Sequence, residues 1–272
     1  MKRLIINSDD YGRTPEISRG IRETHLHGVV SSTTCMMNIV TTAGDVAIAR
    51  KETPTLGMGV HLVLTMGDPI SASETVRSIT DENGHFFKYA SLVKQLPHIK
   101  IEEVKSEWRH QIEAFVKASG HNPTHLDSHH HSSYFTPELF RGMLEIASEY
   151  GCPIRNPISH GENPTAGMPA VAEPMSTHAP RLIREFNPRT TDSIFVNFYD
   201  EGANREELLD IFGNVADGTW EVMCHPGYVD RAFAKESVYN FQRERELQIL
   251  TDPAIKQAIE SRGIELITFA DL

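Results

Sequence analysis

The sequence is short of cysteine, of tryptophan, of long apolar runs and of positive charge, and each shortage excludes something. Its 272 residues hold three cysteines, Cys35, Cys152 and Cys224, odd in number and without a C-x-x-C pair. That excludes a disulfide framework and a cysteine-rich structural zinc site, and the three read as buried small hydrophobes of a reducing compartment. No stretch approaches the ~18 apolar residues of a membrane span, so no membrane partner is expected. Only Leu4-Ile5-Ile6 stands between Lys2-Arg3 and the polar Asn7-Ser8-Asp9-Asp10. That run is too short for the core of an export signal, and a cytoplasmic location is expected. Lys and Arg number 26 against 37 Asp and Glu, a net charge of −11. Such a surface repels phosphate backbones, so no nucleic-acid partner is expected. The G-x-S-x-G elbow, the H-E-x-x-H helix, the P-loop and the G-x-G-x-x-G turn are also missing.

What is present is an ordinary globular composition, 39% hydrophobic and 23% charged. At roughly 100–200 residues per domain the length suits one large domain, and an α/β barrel would use all of it. Short apolar runs alternate with amphipathic stretches. Strands are expected near 4–6, 29–38, 56–64, 124–128, 152–155, 193–198, 219–224 and 264–269. Helices are expected near 15–27, 43–51, 88–96, 101–119, 137–150, 181–186, 205–214, 236–249 and 253–261. Repeated β-α units imply a parallel sheet with helical crossovers, as a doubly wound sheet or a closed barrel. A Pro-rich stretch at about 156–180 reads as a long loop at the active site. No composition shift divides the chain, so a single domain over 1–272 is expected.

The 14 histidines make metal chemistry worth testing. Polar residues stand just after several expected strands: Asp9-Asp10, His61, the His125-Leu126-Asp127-Ser128-His129 segment, and His225. In a parallel barrel all strand C-termini open on one mouth, which brings these together from distant parts of the chain. Carboxylate and imidazole with open positions suit a catalytic divalent cation, Mg2+ or Zn2+. Adjacent Asp9 and Asp10 point in opposite directions on an extended strand, so one can ligate while the other acts as a base, if the chain bends there. Asp127 is expected to orient an imidazole rather than bind metal. Arg155 either pairs with a carboxylate or contacts substrate. Taken singly each residue has a plainer alternative: a capping turn for Asp9-Asp10, a core histidine for His61, a surface run for part of His129-His130-His131, and a simple turn for His225-Pro226-Gly227.

At these same segments the chain resembles the YdjC/ChbG carbohydrate deacetylases, which include chitooligosaccharide deacetylases. The matching segments, in family order, are Asn7-Ser8-Asp9-Asp10-Tyr11-Gly12, residues 28–34 (GVVSSTT), residues 59–67 (GVHLVLTMG), residues 123–131 (PTHLDSHHH) and residues 224–230 (CHPGYVD). The resemblance implies a distorted (β/α) TIM-like barrel of about seven parallel strands with outer helices. It implies a hydrolase acting on the amide bond of a small N-acetylated sugar, chitobiose-like, with Asp10, His61 and His129 as metal ligands. Asp9 would be the base and His225 the acid, with His125, Asp127 and Arg155 behind them or on the substrate. The family often continues the His cluster with a further H-x-H, whereas this chain reads His131-Ser132-Ser133-Tyr134. That departure puts the substrate contacts of this rim in question. A phosphoesterase on the same barrel and a non-catalytic sugar-binding relative are the competing readings. A homodimer through the outer helices is compatible with the sequence but not demanded by it.

Overall fold

The architecture follows from one strand. β1 (Lys2–Tyr11) carries Leu4, Ile5 and Ile6, all fully buried, so both of its faces are covered, as expected of a central parallel strand. In the computed structural model, which describes residues 1–160 and 169–272, β1 pairs along Lys2–Ser8 with β6 (Gly218–Cys224). Its other pairings are with β2 (Ser32–Cys35) near its end and with β7 (Ile264–Leu266) at its start. β3 (Gly57–Leu62), β4 (Leu126–Ser128) and β5 (Ser193–Phe195) complete a seven-stranded sheet in the order β4-β3-β2-β1-β6-β5, with β7 beside β1. Every ladder is parallel. The sheet curls into a half-barrel surrounded by helices. Its open side is spanned by residues 154–159, which touch β4 through Ile154↔Leu126 and β5 through Ser159↔Ile194. The expected strand at 152–155 is therefore a single bridge.

The helices are α1 (Pro15–Leu26), α2 (Thr42–Glu52), α3 (Tyr89–Gln95), α4 (Ile101–Ser119), α5 (Pro137–Tyr150), α6 (Pro169–Phe186), α7 (Arg205–Asn214), α8 (Phe233–Glu236), α9 (Phe241–Leu250) and α10 (Pro253–Ser261). Local chemistry sets their ends. Thr14 and Thr136 cap α1 and α5 by accepting the N–H of Ile17 and Leu139, each with proline as the next residue. Gly120 and Gly151 end α4 and α5 in left-handed conformations. α4 turns Val104, Trp108, Ile112 and Phe115 inward, all fully buried. Each such side chain contributes about 1.5–3 kcal/mol of burial.

Two expectations change. Of the Pro-rich stretch at about 156–180, residues 161–168 lie outside the described residues, and the remainder is largely helix. α6 begins at Pro169, where a missing N–H costs nothing, and continues through Pro180 to bury Ala179 and Leu182. The expected helix at 181–186 is only its last turn. β1 also runs further than its apolar run suggests, carrying Asp9 and Asp10 within the strand.

Candidate metal centre and active site

The strand ends meet at one mouth, and β1 delivers two carboxylates to it. Pairing with β2 slips between Ser8 and Tyr11, and Asp10 takes φ 69°, a left-handed conformation that aspartate tolerates better than most residues. This bend separates the two side chains. Asp10 meets His61 of β3 and His129, which opens the turn after β4; all three are buried, and their ligand atoms lie within 4.8 Å of one another. Asp10 Oδ1 lies 3.5 Å from His61 Nε2 and 3.1 Å from His129 Nδ1.

The protonation states suit a cation. Burial opposes charge on Asp10, but Arg243 and His129 outweigh it and hold the carboxyl well below the usual range. Burial pushes His129 down against the pull of Asp10, which favours the neutral imidazole a metal ligand needs. Burial also acts against a charged His61, yet Asp127, Asp9 and Asp10 raise its pKa; a place that draws a proton to this ring draws a metal too. His61 Nδ1 donates to Asp127 Oδ1 at 2.7 Å, which leaves Nε2 turned to Asp10. Thr34 Oγ1 holds the other Asp127 oxygen at 3.0 Å.

Asp9, His61 and Asp127 form a second group of suitable donors. Its carboxylates are already engaged. Arg155, fully buried, donates Nη1 to Asp9 Oδ2 at 2.7 Å and Nη2 to Asp9 Oδ1 at 2.6 Å. The same guanidinium reaches Asp127 Oδ2 at 2.8 Å and Glu221 Oε1 at 2.7 Å. Asp10 Oδ1, by contrast, has no hydrogen-bond partner among the described residues, and neither has His129 Nε2. Buried donor atoms left open in this way suit a cation, so the Asp10–His61–His129 trio fits a divalent ion better.

Burial would raise the Asp9 carboxyl, but Arg155, with His61 and His225 nearby, holds it far below the ordinary carboxylate range. Glu221 moves the other way: burial lifts it to about 7 despite Arg155, with Asp9 and Asp127 adding to the rise. His225 follows β6, with Nε2 3.9 Å from Asp9 Oδ2. The turn behind it is pressed against α1: a Cβ on Gly20 would come 2.7 Å from Gly227 Cα, so only glycine allows this approach. Tyr199 and Tyr239 stack on each other at 4.4 Å and present their edges to the His225 ring at 5.4 and 5.7 Å.

Burial pushes His225 down to about 4, against the pull of Asp9. Its folded value lies below the unfolded one, so its contribution to stability is present above pH ~6.5 and is lost as pH falls towards 4. The expected result of an NMR titration of the metal-free protein is a His225 midpoint near 4. Asp9→Asn is expected to lower it further, because a carboxylate that raises the value is removed. A midpoint above 6 would contradict this environment.

Of the residues singled out from the sequence, Asp9, Asp10, His61, Asp127, His129, Arg155 and His225 are brought together. His125 is not part of the cluster: its ring stacks on Phe269 at 3.7 Å and Nδ1 bonds Thr124 Oγ1, the plainer position of a core histidine. His130 is the exposed member of the run, stacked on His129 at 4.0 Å, and both His130 and His131 are left-handed at φ 54°. Sequence reasoning missed Glu221, Arg243 and Glu246. Glu221 could have been found as a charge within an otherwise apolar strand. Arg243 and Glu246 sit in a charged helix that reads as a solvated face.

The YdjC-like protein family matches residues 3–261. The chain belongs to the YdjC-like family. Among its relatives, a carbohydrate deacetylase of Enterococcus faecalis is 35% identical to this YdjC-like chain over 276 residues, 100% of the chain and 98% of the relative. A chitooligosaccharide deacetylase of Yersinia enterocolitica is 33% identical, covering 99% of each. A crystal structure of an Enterococcus faecalis protein, described as a proposed cellobiose-phosphate cleavage protein, superposes with a TM-score of 0.86 at 34% identity, over 99% of the YdjC-like chain and 98% of that protein.

Proposed function

We propose that the chain is a metal-dependent carbohydrate deacetylase that hydrolyses the N-acetyl group of N-acetylglucosamine-containing oligosaccharides, chitobiose-like, to acetate and an amino sugar. The observation that carries this reading is the open Asp10–His61–His129 trio beside an Asp9 clamped by Arg155 and a His225 within 3.9 Å of it. Full-length relatives named carbohydrate and chitooligosaccharide deacetylase support the substrate class. A divalent cation bound there would supply Lewis acidity, activating water and polarising the acetamide carbonyl. Two imidazoles and one carboxylate favour Zn2+ over Mg2+, which prefers oxygen donors.

The chain's own groups then move the proton. Asp9, anionic and fixed by the Arg155 fork, takes a proton from the attacking water. His225 is neutral at pH 7 and stands beside Asp9. The 3.9 Å between Asp9 and His225 is too long for a direct hand-off, so the proton is relayed between them through the substrate or a water in the cleft, and His225 delivers it to the departing nitrogen as the C–N bond breaks; both residues end the turnover as they began it. Three buried free cysteines fit a reducing compartment such as the cytoplasm. Among the described residues no helix is long and apolar enough to cross a membrane.

The test is acetate release from diacetylchitobiose with metal content measured alongside. Chelation is expected to abolish release and added Zn2+ or Mg2+ to restore it. His129→Ala is expected to lose both the metal and the activity. Cellobiose phosphate has no amide; phosphate or glucose released from it, with no acetate from N-acetylated sugars, would replace this reading with cleavage of a phosphorylated disaccharide.

A further inference from the structure

α9 carries two ionisable residues buried as deeply as the core. Arg243 is 3% exposed and Glu246 is 0% exposed, while Glu244 between them faces solvent. Three positions apart, they share one face of the helix, and that face is turned to the mouth of the barrel. A buried ion without partners costs several kcal/mol, so the contacts of these two show what holds them there. Glu246 Oε2 accepts the backbone N–H of His225, and its Oε1 accepts the Tyr239 hydroxyl. Arg243 Nη2 donates to Asp10 Oδ2, and its Nη1 lies 3.3 Å from the His225 carbonyl oxygen. The carbonyl of Arg243 accepts the Gly227 N–H at 3.2 Å.

One turn of α9 thus grips His225 by both of its peptide groups and Asp10 by its carboxylate. The imidazole itself is held by little else. Its Nδ1 has no hydrogen-bond partner among the described residues, and Nε2 at 3.9 Å from Asp9 is beyond hydrogen-bond range. Backbone grip and tyrosine walls therefore set where the ring stands.

We propose that Arg243 and Glu246 are positioning residues, with Glu246 acting through the His225 peptide and Arg243 tying that peptide to Asp10, so that one helical turn fixes the spacing of the two halves of the site. The inference rests on the roles given above to His225 and Asp10. It explains why an acid can sit on a turn rather than on a strand and still keep its place.

Glu246→Ala separates the possibilities. In the metal-free protein, hydrogen exchange of the His225 amide is expected to speed up by about tenfold or more. In the metal-loaded protein, kcat on diacetylchitobiose is expected to fall by roughly 10–100-fold, with KM and metal affinity little changed. Glu246→Gln keeps an oxygen in place for the His225 N–H and is expected to recover most of the rate. Glu246→Asp keeps the carboxyl but falls one methylene short, and is expected to stay slow; these two also serve if the alanine variant does not fold. Arg243→Ala is expected to weaken both metal binding and kcat. Combined with His225→Ala, Glu246→Ala is expected to add almost no further loss, because it acts through that residue.

Parental kcat in Glu246→Ala and Glu246→Asp, or a glutamine variant as slow as alanine, would overturn the proposal. If His225→Ala itself turns over at the parental rate, or no variant releases acetate, the acid role falls instead. The grip is then judged by exchange alone, and unchanged protection of the His225 amide in Glu246→Ala would sink it.

Discussion

Asp9→Asn is expected to bind the metal as the parent does and to lose turnover by about 10²–10⁴-fold, the usual worth of a positioned general base. Metal binding survives because Asp9 stands outside the Asp10–His61–His129 trio and its oxygens are occupied by Arg155. The loss should fall on kcat, since an uncharged amide at this place still allows substrate to enter. Metal analysis of the purified variant decides between the two donor groups. If Asp9→Asn came out metal-free, the ion would belong to the Asp9–His61–Asp127 group and the base would have to be sought elsewhere. Full turnover with metal bound would remove Asp9 from the mechanism.

The second large effect is on stability. Arg155 pairs with Asp9, Asp127 and Glu221 at once, and all four groups are buried. Replacing it by methionine fills much of the space but leaves carboxylates facing one another in low dielectric. Breaking a buried ionic network in this way costs about 3–5 kcal/mol, a large part of a typical 5–15 kcal/mol total. With Arg155 gone, the burial that opposes charge on Asp9 and Glu221 loses its main counterweight, and the folded pKa values of these two carboxyls move up. A raised carboxyl favours the fold at low pH and loses that advantage as pH rises through its folded value. The deficit of Arg155→Met should therefore be wider at pH 8 than at pH 5, as read from denaturation midpoints at both. Arg155→Lys keeps the charge but cannot fork to three partners, and should fall between. An Arg155→Met protein as stable as the parent at pH 8 would mean that the network contributes nothing to the fold.

Much of this was legible in the sequence, for a physical reason. Parallel strands with helical crossovers are written in short apolar runs alternating with 3.6-period faces. Once that order is read, the strand C-termini share a mouth, and Asp9, Asp10, His61, Asp127, His129 and His225 fall there together. Helix ends were equally plain where chemistry marks them, as at Thr14-Pro15 and Thr136-Pro137. Contacts between distant elements were not. Nothing local says that β1 keeps pairing with β2 past Ser8 with a slip, because the slip belongs to the pairing and not to either strand. Prolines read as loop formers at 169 and 180, yet a helix accepts one at its first position and tolerates another where packing holds the turn. The charged stretch from Gln242 to Glu246 has the composition of a solvated face. That Arg243 and Glu246 turn inward depends on Asp10 and the His225 peptide waiting there, and no window of sequence around α9 contains either.

That long-range closure bears on how the protein is made. Asp10 meets Arg243 across 233 positions of chain, and Asp9 meets Arg155 across 146. Synthesis runs from the N-terminus, so both acids of β1 emerge long before the cations that balance them. Until Arg155 leaves the ribosome, Asp9 has no guanidinium to accept; until α9 follows, Asp10 is uncompensated and the turn after β6 is ungripped. A nascent chain stalled before about residue 240 would own the trio of metal donors, and Arg155 for Asp9, without the Arg243 that balances Asp10. The Asp10–Arg243 contact therefore cannot close before α9 has been made, and contacts of such high sequence separation form slowly. Whatever helps this chain mature in the cell has to protect an incomplete acidic strand until its final helices arrive.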